Sequence, residues 1–429
     1  MKSYTVRPVK KLQGAIAVPG DKSISHRAVM LGSLAGGTTV IRGFLRGEDT
    51  ISTLNVFRAM GIDADDDGGT LVIRGKGLHG LSEPENVLDC GNSGTSMRLM
   101  TGLLAGQSFF SVLTGDRYLR ARPMGRVIEP LSRMGATVFG RTGGSKAPLA
   151  IQGQPLKGIS YASPVASAQI KSALLLAGLY ADGDTEVTEP SLSRDHSERM
   201  FGYFGAHIEP LPNGARIRGG GDLQGREVDV PGDISSAAFF MVAALIVPGS
   251  ELLITGVGIN PTRTGIIDIL AKMGADIEIT NQRLVSGEPI ADLLVRSSAL
   301  RGIEVGGETV PRAIDEFPII CVAAACAEGT TVIRDAKELR VKETDRIAAM
   351  AANLRAAGVA VLETEDGMEI TGTERLSGCT VDSFGDHRIA MSMLIAGLVA
   401  DGETTVTDTG CIATSFPSFL DLLERVCDR

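Results

Sequence analysis

The sequence has no tryptophan, five tyrosines and five histidines in 429 residues. So few aromatic rings leave little for bases to stack on, and a formal charge of −9 opposes a phosphate backbone, so nucleic acid is excluded as a partner. Cys90, Cys321, Cys326, Cys379, Cys411 and Cys427 form no CxxC pair and no Cys/His cluster at zinc spacing. No metal site is expected, and the thiols are expected to be reduced. The first twenty residues contain lysines but no apolar segment of the signal-peptide kind. The longest apolar run, Ala237 to Val247, is too short to span a bilayer. A soluble, cytoplasmic chain with no membrane partner is the expectation. Glycine is abundant, at 53 residues, and 43% of the chain is apolar, which predicts an aliphatic core and many tight turns.

A block recurs six times. It opens on a small polar turn, runs into an Ala/Leu/Met-rich helix, continues as a Val/Ile/Thr strand, and closes with a second helix at a Met-Gly-Ala-like stop. The buried helices open at GDKSISHRA, GNSGTSMR, SAQIKSA, GDISSAA, DEFPIICV and GDHRIAM, and the stops fall at Gly61, Gly135, Gly205, Gly274 and Gly358. A helix apolar nearly all round is buried among other elements, and a glycine just past a helix suits its C-terminal stop. The words VPGDKS at 18–23 and VPGDIS at 230–235 open the first and fourth copies, so the second half restarts the first. We therefore expect an α/β (α+β) protein of two lobes: one over 20–230 with three repeats, the other from 1–19 plus 231–429 with the last three. A single extended array of six units is the other arrangement such a repeat allows.

Cations gather where the buried helices begin. Lys22 and Arg27 flank Ser23 and Ser25, Arg117, Arg120, Arg122 and Arg126 follow the Gly91–Ser96 turn, and Arg388 opens the sixth helix. Exposed N–H groups and the positive helix end favour an anion there, while a like charge is mildly destabilising, so one small anionic ligand accounts for all of these placements. Each motif alone also has a plainer reading. Ser23 or Ser25 is then an N-cap with Lys22 solvated, the arginines line a solvated loop, and Asp315 caps a helix with Pro318 in its first turn. The run Arg340–Arg346 reads as a charged helix face on which Lys342 and Arg346 point the same way. Ser167, Gln169 and Lys171 offer hydroxyl, amide and ammonium groups at the third helix. For His196 and Glu198 we expect a salt-bridged turn, with Arg194 the better ligand candidate.

Taken together, VPGDKSISHRA, GNSGTSMR, RPMGR, SAQIK, RDHSE, AIDEFP, RVKETDR and GDHRIAM resemble the 5-enolpyruvylshikimate-3-phosphate synthase family of enolpyruvyl transferases. The resemblance covers essentially the whole chain. GDKS, SAQIK, RDHSE and Asn260–Arg263 resemble its class II, glyphosate-tolerant branch, and Thr414 stands where the class I pattern has lysine. The resemblance implies a two-lobed inside-out α/β barrel with three βαβαββ units per lobe, acting as a monomer with no cofactor and no metal. It implies transfer of the enolpyruvyl group of phosphoenolpyruvate to the 5-hydroxyl of shikimate 3-phosphate. The 20–230 lobe would mainly bind shikimate 3-phosphate; the other would carry the phosphoenolpyruvate clamp and the catalytic acid and base. By the same resemblance Lys22, Ser23, Arg27, Ser167, Ala168, Gln169, Arg194, Asp315 and Lys342 are implied to hold shikimate 3-phosphate. Lys22, Gly94, Arg122, Gln169, Arg346 and Arg388 are implied to hold phosphoenolpyruvate. Asp315 is implied as the proton acceptor, and Glu343 or Lys22 as the donor to the methylene carbon.

The reaction needs a paired acid and base and cations that bring two polyanions together. The enolpyruvyl transferase acting on UDP-N-acetylglucosamine is the nearest rival; that family carries a reactive cysteine near positions 114–122, where TGDRYLRAR has none. A non-catalytic anion-binding protein would keep the cations but has no use for both Asp315 and Glu343.

Overall fold

The computed structural model describes residues 2–428. The chain divides into two compact units: Gly20–Val230 with the hairpin tip Val285–Glu288, and Met1–Pro19 with Pro231–Leu284 and Pro289–Arg429.

The repeat is structural. In its second copy the strand Leu88–Asp89 leads to helix Gly94–Ala105, strand Phe110–Thr114, helix Gly125–Arg133 and the hairpin Thr137–Arg141/Lys146–Gln152. Leu88–Asp89 pairs in parallel with Leu113–Thr114, and the remaining ladders are antiparallel, giving one βαβαββ unit around a four-stranded sheet. The same order recurs from Glu304 to Thr371. The first sheet of the 20–230 unit is completed from its far end: Glu227–Asp229 lies parallel to Val40–Arg42. In the split unit, Tyr4–Val6 pairs antiparallel with Thr404–Val406.

The helices expected to be buried are buried. Lys22–Leu34, Gly94–Ala105 and Ala168–Gly178 pack in one core, and Ile234–Ile246, Phe317–Ala325 and His387–Ala396 in the other. Small residues let them approach: a Cβ on Gly102 would collide with the carbonyl of Ala173 on the neighbouring helix. The matching VPGD words have one physical meaning. Asp21 caps helix Lys22–Leu34 by accepting from Ile24 N (2.9 Å), and Asp233 caps Ile234–Ile246 by accepting from Ser235 N (2.8 Å). The cap at the first helix is therefore Asp21, not Ser23 or Ser25. Gly61, Gly135, Gly205, Gly274 and Gly358 take φ of 85, 98, 98, 94 and 85°, so the helix stops are left-handed turns.

The cores are mainly aliphatic, as the composition requires. Phe239, Phe240, Phe416 and Phe419 cluster in the split unit with ring centroids 5.4–6.0 Å apart. Among the described residues no cysteine forms a disulfide, and burial pushes the Cys321 and Cys326 thiols up to about 12. Among the described residues, no helix is long and apolar enough to cross a membrane.

Candidate active site

In the 20–230 unit, three helix entrances carry the polar groups. At the first, Lys22 forms a close ion pair with Asp49, a buried carboxylate that the sequence pattern did not single out. Arg27 departs from the open anion fork expected of it. Its Nε donates to Ser197 Oγ (2.7 Å), Nη1 to Ser23 O (3.0 Å) and Nη2 to Ser172 Oγ (2.7 Å). Burial lowers its pKa to about 10, so it stays charged at neutral pH, supporting Ser23 from behind. Ser23 Oγ lies 3.5 Å from Arg194 Nη1, which joins the first and third motifs.

Beneath Lys22, His26 Nδ1 is 2.8 Å from Thr53 Oγ1, which in turn meets Ser96 Oγ at 2.5 Å. Burial, and then the nearby Lys22 and Arg27, hold the His26 pKa well below 6.5. A histidine with a depressed folded pKa contributes stability above its unfolded pKa and loses it as pH falls toward the folded value. Stability should therefore fall below pH of about 6.5, by up to about 1.4 kcal/mol per pH unit from this group. Urea titrations at neutral and mildly acidic pH check this: His26→Asn should flatten the dependence, and an unchanged slope would assign it elsewhere.

At the second entrance, Ser93 caps helix Gly94–Ala105 by accepting from Ser96 N (3.0 Å). A Cβ on Gly94 would lie 3.0 Å from Arg122 Nη1 and 3.1 Å from Arg98 Nη1, so two guanidiniums face this glycine. Arg122 Nη2 donates to Asn92 Oδ1 (2.6 Å), and Asn92 Nδ2 donates to Asp116 Oδ2 (2.6 Å). Arg98 Nη1 donates to Gln169 Oε1 (2.5 Å), and Gln169 Nε2 donates to Thr95 Oγ1 (3.0 Å). The motifs around Gly94, Arg122 and Gln169 are thus one cluster. Arg98 was missed in the sequence; its position four residues after Gly94, on one helix face, was the available signal. Arg117 instead lies against the Tyr118 ring, 4.6 Å from its centroid, on an exposed turn.

At the third entrance, Ser167 caps helix Ala168–Gly178, and its own N–H donates to Glu189 Oε1 (2.7 Å). Lys171 does not offer its ammonium to this entrance. It is wholly buried, 2.7 Å from Glu198 and 3.0 Å from Glu189. His196 Nδ1 lies 2.8 Å from Glu288 Oε1, and Glu198 pairs with Lys171, so the two residues do not form the salt-bridged turn expected of them.

In the split unit, one carboxylate gathers three cations. Asp315 Oδ1 is 3.5 Å from Arg346 Nη1 and 3.6 Å from Lys342 Nζ, and Oδ2 is 4.0 Å from Arg388 Nη2. Asp315 is not a helix cap; Glu316 holds the N-cap position of helix Phe317–Ala325. Nor is the charge run one helical face. Lys337–Val341 is a 3-10 turn and the α-helix starts at Arg346, so Lys342 and Arg346 converge on Asp315 across a break in the backbone. Arg346 is buried: its Nε donates to Asp386 Oδ2 (2.8 Å) and its Nη2 to Glu343 Oε2 (2.7 Å). Burial opposes its charge, but Asp386, Glu343 and Asp315 outweigh that and hold its pKa above the ordinary guanidinium value. Arg346 Nη1 is buried without a hydrogen bond among the described residues, a donor left for an anion. Asp386 also accepts from Arg388 N (2.8 Å) and so fixes the sixth helix entrance. Arg388 Nη1 donates to Asp315 O (3.0 Å). Carboxylate, cations and a second carboxylate, Glu343, make an arrangement able to hold an anion beside a base.

Residues 6–423 match the family described as EPSP synthase (3-phosphoshikimate 1-carboxyvinyltransferase). The chain belongs to the EPSP synthase family. It is 74% identical over 426 residues to the 3-phosphoshikimate 1-carboxyvinyltransferase of Geotalea uraniireducens (strain Rf4), covering 99% of each chain. Against the enzyme of that name from Geobacter metallireducens it is 73% identical over 429 residues, covering 100% of both. Among solved EPSP synthases, that of Acinetobacter baumannii superposes with a TM-score of 0.90 at 48% identity, over 100% of this chain and 98% of that one. The enolpyruvyl transferase NikO from Streptomyces tendae shares the fold, with a TM-score of 0.80 at 20% identity over 98% and 96% of the two chains.

Proposed function

We propose that this member of the EPSP synthase family transfers the carboxyvinyl group of phosphoenolpyruvate to the 5-hydroxyl of shikimate 3-phosphate with Asp315 as the base. Family membership at 74% identity supports the reaction in aromatic biosynthesis. The observation that carries the residue roles is the convergence of Lys342, Arg346 and Arg388 on Asp315. The 5-hydroxyl oxygen attacks C2 of phosphoenolpyruvate while its proton passes to Asp315, and the methylene carbon takes a proton from Glu343 or Lys22. The tetrahedral intermediate then loses phosphate and a methyl proton to give the enolpyruvyl ether. Arg346 and Arg388 neutralise the carboxylate and phosphate of phosphoenolpyruvate, with Lys22, Gly94, Arg122 and Gln169 completing that set. Ser23, Ser167, Ala168, Gln169 and Arg194, with Lys22, Lys342 and the charge of Arg27, receive shikimate 3-phosphate. In this reading the 20–230 unit mainly serves shikimate 3-phosphate and the split unit mainly serves phosphoenolpyruvate and the chemistry.

The test is phosphate release, which should require both substrates together; release with phosphoenolpyruvate alone would overturn the reading. The rival acceptor, UDP-N-acetylglucosamine, should support no turnover, consistent with the missing cysteine at 114–122. We also assign the chain to the class II branch, from Asn260–Arg263 and from Thr414 in place of lysine. Glyphosate should then compete only weakly with phosphoenolpyruvate, and a submicromolar inhibition constant would refute the assignment. We read the enzyme as a cytoplasmic monomer, and sedimentation of the purified chain tests the monomer.

A further inference from the structure

The Asp315–Glu316 pair turns its two carboxylates to different tasks. Asp315 faces the three cations, while Glu316 is buried, at 2% exposure, and accepts a short hydrogen bond from Ser235 Oγ. Arg263, at 3% exposure, donates through Nη2 to the same Ser235 Oγ (2.6 Å) and lies 3.5 Å from both Glu316 Oε1 and Asp233 Oδ1. Arg388 Nη1, the nitrogen that donates to Asp315 O, is 4.0 Å from Glu316 Oε1. Two buried carboxylates and two guanidiniums thus alternate in one chain: Asp233, Arg263, Glu316, Arg388. Arg312 Nε donates to Pro261 O (2.8 Å) and straps the 260–263 loop to the segment just before Asp315.

We propose that Glu316, held by Arg263 and Ser235, is a positioning residue that sets Arg388 for phosphoenolpyruvate. This rests on the reading of Arg388 as a phosphoenolpyruvate ligand. Desolvated charge is costly unless compensated, and Glu316 supplies the compensation at a distance too long to occupy the Arg388 fork. A carboxylate in direct contact would use up the donors that the substrate needs. Without the Glu316 charge, the nearest anion for Arg388 is Asp315 itself, 4.0 Å away. Arg388 would then swing onto the base, removing a substrate cation and engaging the proton acceptor in one movement. The Asn260–Arg263 signature is given a task by this arrangement: it delivers the guanidinium that, with Ser235, holds Glu316 in place.

Steady-state phosphate release with the full chain tests the proposal, with KM measured separately for each substrate. Glu316→Gln keeps the shape and an acceptor for Ser235 but loses the charge. It should raise the KM for phosphoenolpyruvate about tenfold and leave that for shikimate 3-phosphate within about twofold. Arg388→Lys serves as the reference. If it raises the phosphoenolpyruvate KM and Glu316→Gln does not, the positioning role is wrong while the site reading stands. If Arg388→Lys leaves that KM unchanged, the site reading fails and this inference fails with it. A purely structural Glu316 would lower the melting temperature without moving the ratio of the two KM values. Coupling gives an independent readout: in an Arg388→Lys background the effect of Glu316→Gln should shrink, and full additivity would overturn the proposal. Should Glu316→Gln fail to fold, Ser235→Ala carries the test, with a rise of about threefold expected in the phosphoenolpyruvate KM and an unchanged value overturning the idea.

Discussion

Replacing Asp315 by alanine is expected to lower kcat by about a thousandfold while shikimate 3-phosphate binding stays close to that of the unaltered enzyme. The carboxylate is the proposed acceptor for the hydroxyl proton, and positioned general bases contribute about a hundred- to ten-thousandfold. Lys342, Arg346 and Arg388 lie 3.5–4.0 Å from it and remain in the variant. Their charge still attracts anions, and Ser23, Ser167 and Arg194 are untouched. Calorimetric titration with shikimate 3-phosphate and single-turnover phosphate release separate the two effects. A variant with near-normal turnover would show that Asp315 organises the cations and that the proton leaves by another route.

The largest expected loss of stability lies at Lys171. Its ammonium is fully buried between Glu198 and Glu189 and also donates to Ser193 O at 3.4 Å. Lys171→Met removes the one positive charge and leaves two carboxylates in the core. Breaking a buried pair in this way costs about 3–5 kcal/mol, read here as a lower urea midpoint. A loss below about 1 kcal/mol would mean that the carboxylates take up protons or water at little cost. Burial alone would depress the Lys171 pKa, but Glu198 and Glu189 outweigh it and raise it. A raised lysine stabilises the fold throughout the range below its unfolded pKa of about 10.4 and loses that contribution only as pH rises through the folded value. The penalty for Lys171→Met should therefore be present at neutral pH and fade only in strong alkali. Glu189 also receives Ser167 N and Ser193 Oγ, so the same lysine holds the third helix entrance in shape.

The repeat was legible in the sequence because each copy repeats a physical device: a capped buried helix, then a glycine stop. Asp21 and Asp233 perform the same capping act in the two VPGD words, and five stops share one backbone conformation. The clustering of Gly94, Arg122 and Gln169 could be anticipated only through the family resemblance, since the contacts join residues far apart in the chain. What the residue pattern could not convey was direction. Lys171 and Arg27 look like exposed cations in one dimension, yet their partners Glu189, Glu198, Ser172 and Ser197 draw them inward. Lys342 and Arg346 meet at Asp315 through a change from 3-10 turn to helix, which a helical wheel cannot represent. Asp49, Arg98, Asp386 and Glu316 went unassigned because each acts through another side chain, and a pattern of single residues does not record partners.

The strand pairings also fix an order of events during synthesis. Glu227–Asp229 completes the first sheet against Val40–Arg42, so all strands of the four-stranded sheets in the 20–230 unit exist once residue 230 has been made. Tyr4–Val6 pairs with Thr404–Val406, and Lys11–Leu12 with Cys427–Asp428. At about 5–20 residues per second, the amino-terminal strand waits tens of seconds for its partner. During that interval it is an unpaired edge beside a growing chain, open to any other strand. Tyr4–Val6 is thus among the last strands to be paired, and chaperone capture of nascent chains should fall on it.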